Sequence, residues 1–454
     1  MTTVSEIEDF TDKLNENTLS FNFNPSIAHW KEDLYLVCYR TYLKNFANTT
    51  RGFAKANDDL PNHPWHNPPW NSEKGYDRTG FVLIRITNRK ISLYKELNKG
   101  YSIYYHIEEN IHKSEDKNIT GVDARLIKLQ NNSFLISYNK LISSWVEIKE
   151  GNCSSGSGCN LIATRIINLT DDGNLYFQKE MILCNQISNS TEKNWSFFKH
   201  KEQLFFSYGL SPKHITYSLY LKDNTVICGS LASEDKYEYY GNYEKNVNPE
   251  IKNQSNSDSD SDEKQKIVKK ILHISVSTPA IPIQNKKDRY IAVGHVKFRN
   301  TEKKAGKIRS KPFEKFYAII SEKRGDEEED EEDEEGDEKL YRQAPNYDYL
   351  MFLYEFDPTN GHITGISDMF IPEDSKYLLA FPTGLTYIDD QLWIFYGDHD
   401  SNCKVIKIKS EYVSKLLKET PEDTEAFFSG DINYFIFPKI CLTKSDICNL
   451  LLSF

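Results

Sequence analysis

Five segments of the 454-residue sequence repeat one pattern of polar and apolar residues, and this recurrence restricts the folds open to the chain. Each segment begins with a polar or proline-containing stretch and continues as a short apolar strand. It then turns on charged or Asn residues and enters a second strand rich in β-branched and aromatic residues. This order is typical of a two-stranded hairpin. The five segments are residues 24–40, 123–139, 194–209, 278–295 and 381–397.

The second strand of each hairpin ends on a tyrosine or a histidine, and these ends recur about every 70 to 100 residues. They are Tyr39, Tyr138, Tyr208, His295 and Tyr396. Such an interval accommodates four strands with their loops, and the residues between the hairpins also have strand-like patterns divided by turn residues. Five sheets arranged radially form a five-bladed β-propeller, so the sequence predicts a single all-β propeller domain over residues 1–454. An array of β-sandwiches is the alternative, but it does not predict a repeated hairpin.

The composition agrees with β structure and marks two insertions. Tyr (28) and Phe (25) are abundant and Met (4) is scarce, and aromatic residues favour strands. Residues 252–266 are rich in Ser and Asp, and residues 324–339 are dominated by Asp and Glu. Neither insertion has enough apolar residues to build a core, so both are predicted to be disordered loops.

The formal net charge of −11 comes almost entirely from one acidic run, residues 326–338. That run contains 12 of the 67 Asp and Glu residues, and the remaining 55 nearly balance the 56 Lys and Arg residues. The rest of the chain is therefore close to neutral. It also lacks a basic stripe with interleaved aromatic residues, so we expect no nucleic-acid partner.

The start of the chain and its apolar runs predict a soluble, cytoplasmic protein. Residues 1–20 contain acidic residues where a secretory signal needs a basic and then an apolar segment, and no apolar run reaches membrane-spanning length. Eight cysteines are too few for a disulfide framework, and the pair Cys153 and Cys159 lacks metal-binding spacing. We expect no membrane contact, no metal and no organic cofactor. The oligomeric state stays open.

The starts and ends of the five hairpins carry short motifs that together resemble a known family. The motifs are Phe23-Asn24-Pro25 with Tyr39-Arg40, Val122-Asp123-Ala124-Arg125, Glu192-Lys193-Asn194-Trp195, Ser277-Thr278-Pro279 with His295, and Phe381-Pro382-Thr383-Gly384 with Tyr396-Gly397 and Asp400. Found in this order, one set per predicted blade, they are similar to glycoside hydrolase family 130. That family comprises β-mannoside phosphorylases and hydrolases, with the similar mannosyltransferase/phosphorylase enzymes. The likeness spans most of the chain.

The resemblance implies a role for Asp123. Members of the family have Glu-Asp-Pro-Arg at this place, and the Asp is the general acid that protonates the departing sugar. In this sequence Val122 and Ala124 stand where the family has Glu and Pro, while Asp123 and Arg125 match. The acid and the cation are thus present, and the surrounding loop differs.

The residue types at these motifs also point to glycosidic chemistry. Breaking a glycosidic bond requires a proton on the leaving oxygen and a nucleophile on the opposite face of the sugar carbon. The candidate carboxylates are Asp123, Glu192 and Asp400, and the candidate cations or donors are Arg40, Arg125, Lys193 and His295. Asn24, Asn194 and Trp195 are candidate substrate contacts. Guanidinium groups bind phosphate or paired hydroxyls well.

Because no second carboxylate is clearly placed to activate water, inverting phosphorolysis or transfer from a phosphorylated donor is favoured over hydrolysis. Inorganic phosphate or a nucleotide sugar would then be the co-substrate.

Each candidate residue also has a structural interpretation. Asp123 precedes a strand, where Asp often forms a turn, and Trp195 is of a type that often fills the space between blades. The cations pair with carboxylates in many proteins, and His295 replaces an aromatic ring of the other hairpins. The alternatives to a phosphorylase or glycosyltransferase are a hydrolase of the same fold and a non-catalytic propeller that binds glycan or protein.

Overall fold

The computed structural model describes most of the strand-forming segments of the chain. The described residues are 5–14, 20–43, 77–97, 122–142, 159–178, 181–183, 193–210, 214–222, 225–231, 272–299, 347–367, 369–370, 372, 375, 379–398 and 402–419. They form five antiparallel sheets, which we call blades 1 to 5 in the order of their hairpins. The predicted disordered loops, residues 252–266 and 324–339, lie outside the described residues.

Blades 1 and 2 follow the first strand of the chain. That strand, β1 (Ser5–Asp9), is followed by a short 3-10 helix (Thr11–Lys13). Blade 1 consists of β2 (Ser20–Lys31), β3 (Leu34–Leu43), β4 (Asp77–Thr87) and β5 (Lys90–Glu96), paired in that order. Blade 2 consists of β6 (Val122–Gln130), β7 (Ser133–Ile142) and β8 (Cys159–Leu169), with β9 (Leu175–Phe177) and β10 (Met181–Leu183) both paired with β8.

Blades 3 and 4 are built in the same way. Blade 3 consists of β11 (Ser196–His200), β12 (Gln203–Gly209), β13 (Ile215–Lys222) and β14 (Thr225–Leu231). In blade 4, β15 (Leu272–Val276) and the two-residue β16 (Ile281–Pro282) both pair with β17 (Tyr290–Arg299). The blade continues through β18 (Tyr347–Phe356) and β19 (Ile363–Ile366) to β23 (Lys418–Glu419).

Blade 5 joins the first strand of the chain to three strands from its C-terminal part. Its three consecutive strands are β20 (Ala380–Ile388), β21 (Gln391–Asp398) and β22 (Asn402–Lys409), and the helix α1 (Ser410–Leu416) follows. The fourth strand is β1, which pairs antiparallel with β22 so that Ser5 lies opposite Ile408 and Asp9 opposite Lys404. The buried Lys407 forms ion pairs with Glu6 and Glu8 of β1. Blade 5 therefore closes the ring of blades.

Contacts between the first strands of the blades establish the ring. Strand β2 contacts β6 of blade 2 on one side and β20 of blade 5 on the other, and β6 contacts β11 of blade 3. Blade 3 contacts blade 4 through β12 and β15, and blade 4 contacts blade 5 through β17 and β20. Each blade thus has a neighbour on both faces and the last blade meets the first. The prediction of an all-β five-bladed propeller is confirmed.

The hydrophobic core lies between the blades. Blades 1 and 2 share a cluster that includes Trp30 and Phe134, and blades 5 and 1 share one that includes Val37 and Trp393. Because a blade is covered on both faces, its strands do not alternate between core and solvent, and all eight residues of β21 are buried. Burying each large apolar side chain stabilises the fold by about 1.5–3 kcal/mol.

The predicted hairpins correspond to β2–β3, β6–β7, β11–β12, the β16–β17 pair and β20–β21. Two local features differ from the sequence pattern. The first strand of the blade 4 hairpin is reduced to β16, beside the additional β15, and the short helix α1 follows blade 5. The part of the chain that the structure describes contains no helix of the length and apolarity needed to cross a bilayer.

Candidate functional site

The motifs at the hairpin ends meet where the blades come together. In blade 1, Phe23 lies opposite Arg40, and in blade 2, Val122 lies opposite Asn139. Side chains next to these positions touch across the blade boundary, since Asn24 and Arg40 both bind Asp123. We call Asn24, Arg40, Asp123, Arg125 and Asn139 the Asp123 cluster.

The same unusual backbone conformation begins three of the five hairpins. The φ angles of Asn24, Asp123 and Asn194 are 50°, 55° and 63°. L-residues rarely adopt positive φ, but Asn and Asp tolerate it better than most. In blades 1 and 2 the pairing register also shifts at this point, between Phe23 and Ser26 and between Val122 and Arg125. The strained turn therefore re-aims the Asn or Asp side chain relative to a regular strand.

The carboxylate of Asp123 is held unequally at its two oxygens. Oδ1 accepts hydrogen bonds from Asn24 Nδ2 at 2.7 Å and from Arg40 Nη1 at 2.8 Å. Oδ2 accepts one longer bond, from Asn139 Nδ2 at 3.3 Å. The side chains of Arg40 and Asp123 are 8% and 15% exposed, so the ion pair is largely shielded from water. Among the described contacts, Oδ2 is the oxygen that retains capacity for a ligand hydroxyl.

The charge state of Asp123 follows from these contacts. Burial raises the pKa of the Asp123 carboxyl, but the charge of Arg40, the hydrogen bond from Asn24 and the charge of Arg125 outweigh burial and lower it to about 2. Asp123 is therefore an anion at neutral pH. Direct proton donation requires a change in its surroundings.

Arg125 connects three blades through its guanidinium group. Nε donates to the carbonyl oxygen of Ser277 in blade 4, Nη1 to that of Asp123 at 2.8 Å, and Nη2 to Asn194 Oδ1 of blade 3 at 3.3 Å. The residue is 3% exposed. Burial lowers the pKa of Arg125 to about 10, against the opposing effect of Asp123, so it stays charged at neutral pH. Three of its five N–H groups thus bind protein atoms.

His295 lies beside this connection in a closely packed setting. The residue is 1% exposed, and its Nδ1 is hydrogen-bonded to Ser277 Oγ. Its ring stacks on Tyr349 with centroids 5.5 Å apart and meets the edge of Phe381 at 4.9 Å. Arg125 also lies over Phe381, 5.8 Å from the ring centroid. His295 is thus linked to Arg125 through both Ser277 and Phe381.

The remaining sequence candidates occupy different surroundings. Trp195 is 3% exposed and stacks on Phe206 at 4.6 Å, within the hydrophobic cluster between blades 2 and 3. This position matches the structural interpretation of Trp195, in which the ring fills the space between blades. Lys193 is exposed. Glu192 and Asp400 lie outside the described residues.

Two residues at the site were not singled out as ligands or supports by the sequence. Asn139 holds Asp123 Oδ2, and the pairing of Asn139 with Val122 at the open end of the hairpin is the signal that identifies it. Gly397 of blade 5 lies against Asn24. A Cβ atom added to Gly397 would be 2.7 Å from the backbone nitrogen of Asn24 and would overlap Asn24 Oδ1. Only the register of folded strands reveals that contact.

The chemistry of the cluster suits a polar or anionic ligand. The cluster contains two guanidinium groups and one carboxylate, so its five residues carry a net charge of about +1 at neutral pH. Within the described ranges, no group of three or more His, Cys, Asp or Glu side chains is placed to hold a metal ion. A hydroxyl group is suited to Asp123 Oδ2, whose one bond among the described residues is 3.3 Å long.

No protein-family model matches the chain, and no curated protein matches it. The chain is similar in structure to a β-1,2-mannobiose phosphorylase from Listeria innocua, with 11% identity, coverage of 91% of this chain and 99% of that chain, and a TM-score of 0.43. It is also similar to a mannose phosphorylase from Leishmania mexicana (10% identity, 87% and 86% covered, TM-score 0.38). A GDP-Man-dependent mannosyltransferase from the same organism gives 7% identity, 86% coverage of each chain and a TM-score of 0.37.

Proposed function

We propose that the chain is a carbohydrate-active enzyme that transfers a glycosyl group at the Asp123 cluster, from a β-mannoside or related glycoside to phosphate, or from a phosphorylated donor to an acceptor. The observation that carries this proposal is the unequal hold on Asp123. One carboxylate oxygen is saturated by Asn24 and Arg40, while the other has a single bond of 3.3 Å among the described residues. A carboxylate held in this way can exchange a proton at a defined atom.

In the proposed reaction, Asp123 Oδ2 protonates the departing glycosidic oxygen and a nucleophile attacks the opposite face of the sugar carbon. Because the pKa of Asp123 is about 2, the carboxyl group must take up a proton from solvent as the substrate binds. A sugar ring over Oδ2 excludes water from the carboxylate. A phosphate beside Arg40 partly neutralises the charge of Arg40 and so weakens its electrostatic stabilisation of the Asp123 carboxylate. Both effects raise the pKa of the carboxyl group.

The positive charge of the cluster supports phosphate as the nucleophile or as part of the donor. Arg40 and Arg125 both lie within the electrostatic reach of the Asp123 carboxylate. Hydrolysis needs a second carboxylate to activate water. Glu192 and Asp400 are the candidates for that role from the sequence, and they lie outside the described residues. Hydrolysis by the same fold is therefore the alternative reaction.

The second candidate function is a glycan-binding propeller without turnover. It is favoured by the ion pair of Asp123 with Arg40 at 2.8 Å, because a carboxylate that stays charged binds hydroxyls but donates no proton. The same side chains then serve recognition alone.

The test is a substrate screen with three arms. Purified protein is incubated with β-mannosyl disaccharides and inorganic phosphate, with the same disaccharides in water, and with nucleotide-sugar donors plus sugar acceptors. We expect a sugar 1-phosphate in the first arm or a new glycoside in the third. A free sugar in the second arm alone would identify a hydrolase. Saturable glycan binding with no product in any arm would replace the proposed enzyme by the binding propeller.

A further inference from the structure

We propose that Gly397 in blade 5 is a positioning residue for Asp123 in blade 2, and that it acts through the side chain of Asn24 in blade 1. This inference rests on the proposed function for its catalytic meaning. The contacts themselves are independent of any reaction. Three blades thus contribute to the state of one carboxylate.

The contact between Gly397 and Asn24 leaves no room for a side chain. A Cβ atom at position 397 would overlap Asn24 Oδ1. It would also lie 3.0 Å from Asn24 Cγ and 2.7 Å from the backbone nitrogen of Asn24. Gly397 is itself fixed, because it pairs with Phe381 on one side and with Cys403 on the other. A side chain at Gly397 therefore displaces the Asn24 amide group, where the overlap is greatest, and also presses on the backbone nitrogen of Asn24.

The Asn24 side chain has no alternative position in which it keeps its bond to Asp123. The residue is 2% exposed, its φ of 50° already lies in the left-handed region, and its Oδ1 has no hydrogen-bond partner in the part of the chain that is described. The bond that holds its amide is the one that Nδ2 donates to Asp123 Oδ1, 2.7 Å long. Displacement of the amide consequently breaks or lengthens that bond.

Loss of the Asn24 bond changes the charge equilibrium of Asp123. This bond stabilises the carboxylate, and it is among the causes that keep the pKa of Asp123 low. Without it, the pKa rises toward its ordinary value, and Asp123 takes up a proton more readily. Blade 5 is also the blade that β1 completes through its pairing with β22. The seating of the ring-closing blade and the protonation of Asp123 are therefore linked.

The experiment is an NMR titration of Asp123 without substrate. Protein with 13C-labelled Asp carboxyl carbons is titrated from pH 7 downward, and the Asp123 signal is assigned by its loss in Asp123→Asn. We expect Gly397→Ala to raise the pKa of Asp123 by about one unit relative to the unsubstituted chain. Asn24→Gly, which removes the amide and suits positive φ, is expected to raise it by a similar amount. Gly209→Ala is the matched control, because an added methyl group there meets no atom within 4 Å.

The double variant decides the pathway. If Gly397 acts through Asn24, adding Gly397→Ala to Asn24→Gly produces no further rise in the pKa. If Gly397→Ala alone does not fold, the double variant is expected to recover part of its stability in urea unfolding, since the overlapping amide is gone and only the contact with the backbone nitrogen of residue 24 remains. An unchanged pKa in Gly397→Ala, additive shifts in the double variant, or no recovery of stability would each overturn the proposal. No turnover is needed, so these outcomes are separate from the outcome of the substrate screen.

Discussion

The Asp123 cluster and the surroundings of His214 are two buried polar regions that differ in how completely their groups are paired. His214 lies between blades 3 and 4, where Nδ1 bonds the carbonyl oxygen of Gly361 at 2.7 Å and Nε2 bonds Ser207 Oγ at 2.8 Å. Its ring also meets Phe356 edge-on at 4.7 Å. Both ring nitrogens are satisfied, and burial lowers the pKa of His214 to about 4, so it stays neutral.

Asp123 is somewhat more exposed than His214, is charged, lies on strained backbone and keeps a carboxylate oxygen with a single 3.3 Å bond among the described contacts. A polar group whose bonds are complete connects blades and has nothing left for a ligand. A group held firmly at one atom and loosely at another is suited to bind and react. On this basis we propose a stabilising role for His214 and a chemical role for Asp123.

The largest expected effect is on turnover in Asp123→Asn. The amide keeps the size of the carboxylate and cannot exchange the proton, so we expect kcat to fall about 10²- to 10⁴-fold in whichever arm of the screen yields product. Steady-state kinetics measures the loss, and circular dichroism checks that the variant is folded. Turnover within threefold of the original would remove Asp123 from the reaction.

His214→Ala is expected to act on stability instead. It removes a buried ring and leaves Gly361 and Ser207 without their bonds, which costs about 3 kcal/mol in the free energy of unfolding. Urea unfolding measures the loss. The control is His362→Ala, an exposed position in the same turn region, with an expected change of about 0.5 kcal/mol or less. A selective loss of activity in folded His214→Ala would break the division between the two regions.

The pH dependence of stability separates the two groups further. The folded pKa of His214, about 4, lies below its ordinary value of 6.5, so the unfolded chain binds more protons between these values. The contribution of His214 to the free energy of unfolding is complete above pH 6.5, and about 3 kcal/mol of it is lost as pH falls toward 4. For Asp123 the ordinary pKa is 3.8 and the folded pKa about 2, so about 2 kcal/mol of the free energy of unfolding is lost as pH falls from 3.8 toward 2.

Urea unfolding across pH 3 to 8 should show the upper step, the loss of stability between pH 6.5 and 4, in the original chain and in Asp123→Asn, but not in His214→Gln. Persistence of the upper step in His214→Gln would assign it to another group.

The smallest expected effect is that of Trp195→Phe. Because Trp195 packs between blades against Phe206 and is 3% exposed, the smaller ring is expected to cost about 1 kcal/mol of stability. Substrate affinity is expected to stay within twofold. A tenfold higher KM for the sugar with unchanged stability would instead mean that the indole contacts the ligand.

The blades were predictable because each hairpin is local in sequence. The recurring pattern places β2–β3, β6–β7, β11–β12 and β20–β21 within about two to four residues of their observed positions. The weak point was blade 4, where Pro and charged residues leave only the two-residue β16 before β17. Strand β1 was not predicted in blade 5, because its pairing with β22 depends on closure of the ring rather than on local residues.

The candidate site was predictable in its members more than in their partners. Motifs at the hairpin ends identified Asp123, Arg40 and Asn24, and the structure brings them into direct contact. The use of Arg125 to connect three blades was not foreseeable, since its partner Ser277 offers a backbone oxygen that no side-chain pattern reports. Asn or Asp at the start of three hairpins was an available signal for positive φ. The contact of Gly397 depends on strand register across two blades.

The most direct test of the assignment of chemistry to Asp123 is formation of sugar 1-phosphate by three proteins at one temperature. The original chain, Asp123→Asn and His214→Ala are each incubated with the β-mannosyl disaccharide selected by the screen and inorganic phosphate, and product is followed by 31P NMR. We predict phosphate-dependent product from the original chain and from folded His214→Ala, and formation of product at least about a hundredfold slower from Asp123→Asn. Equal product from Asp123→Asn and the original chain would contradict it.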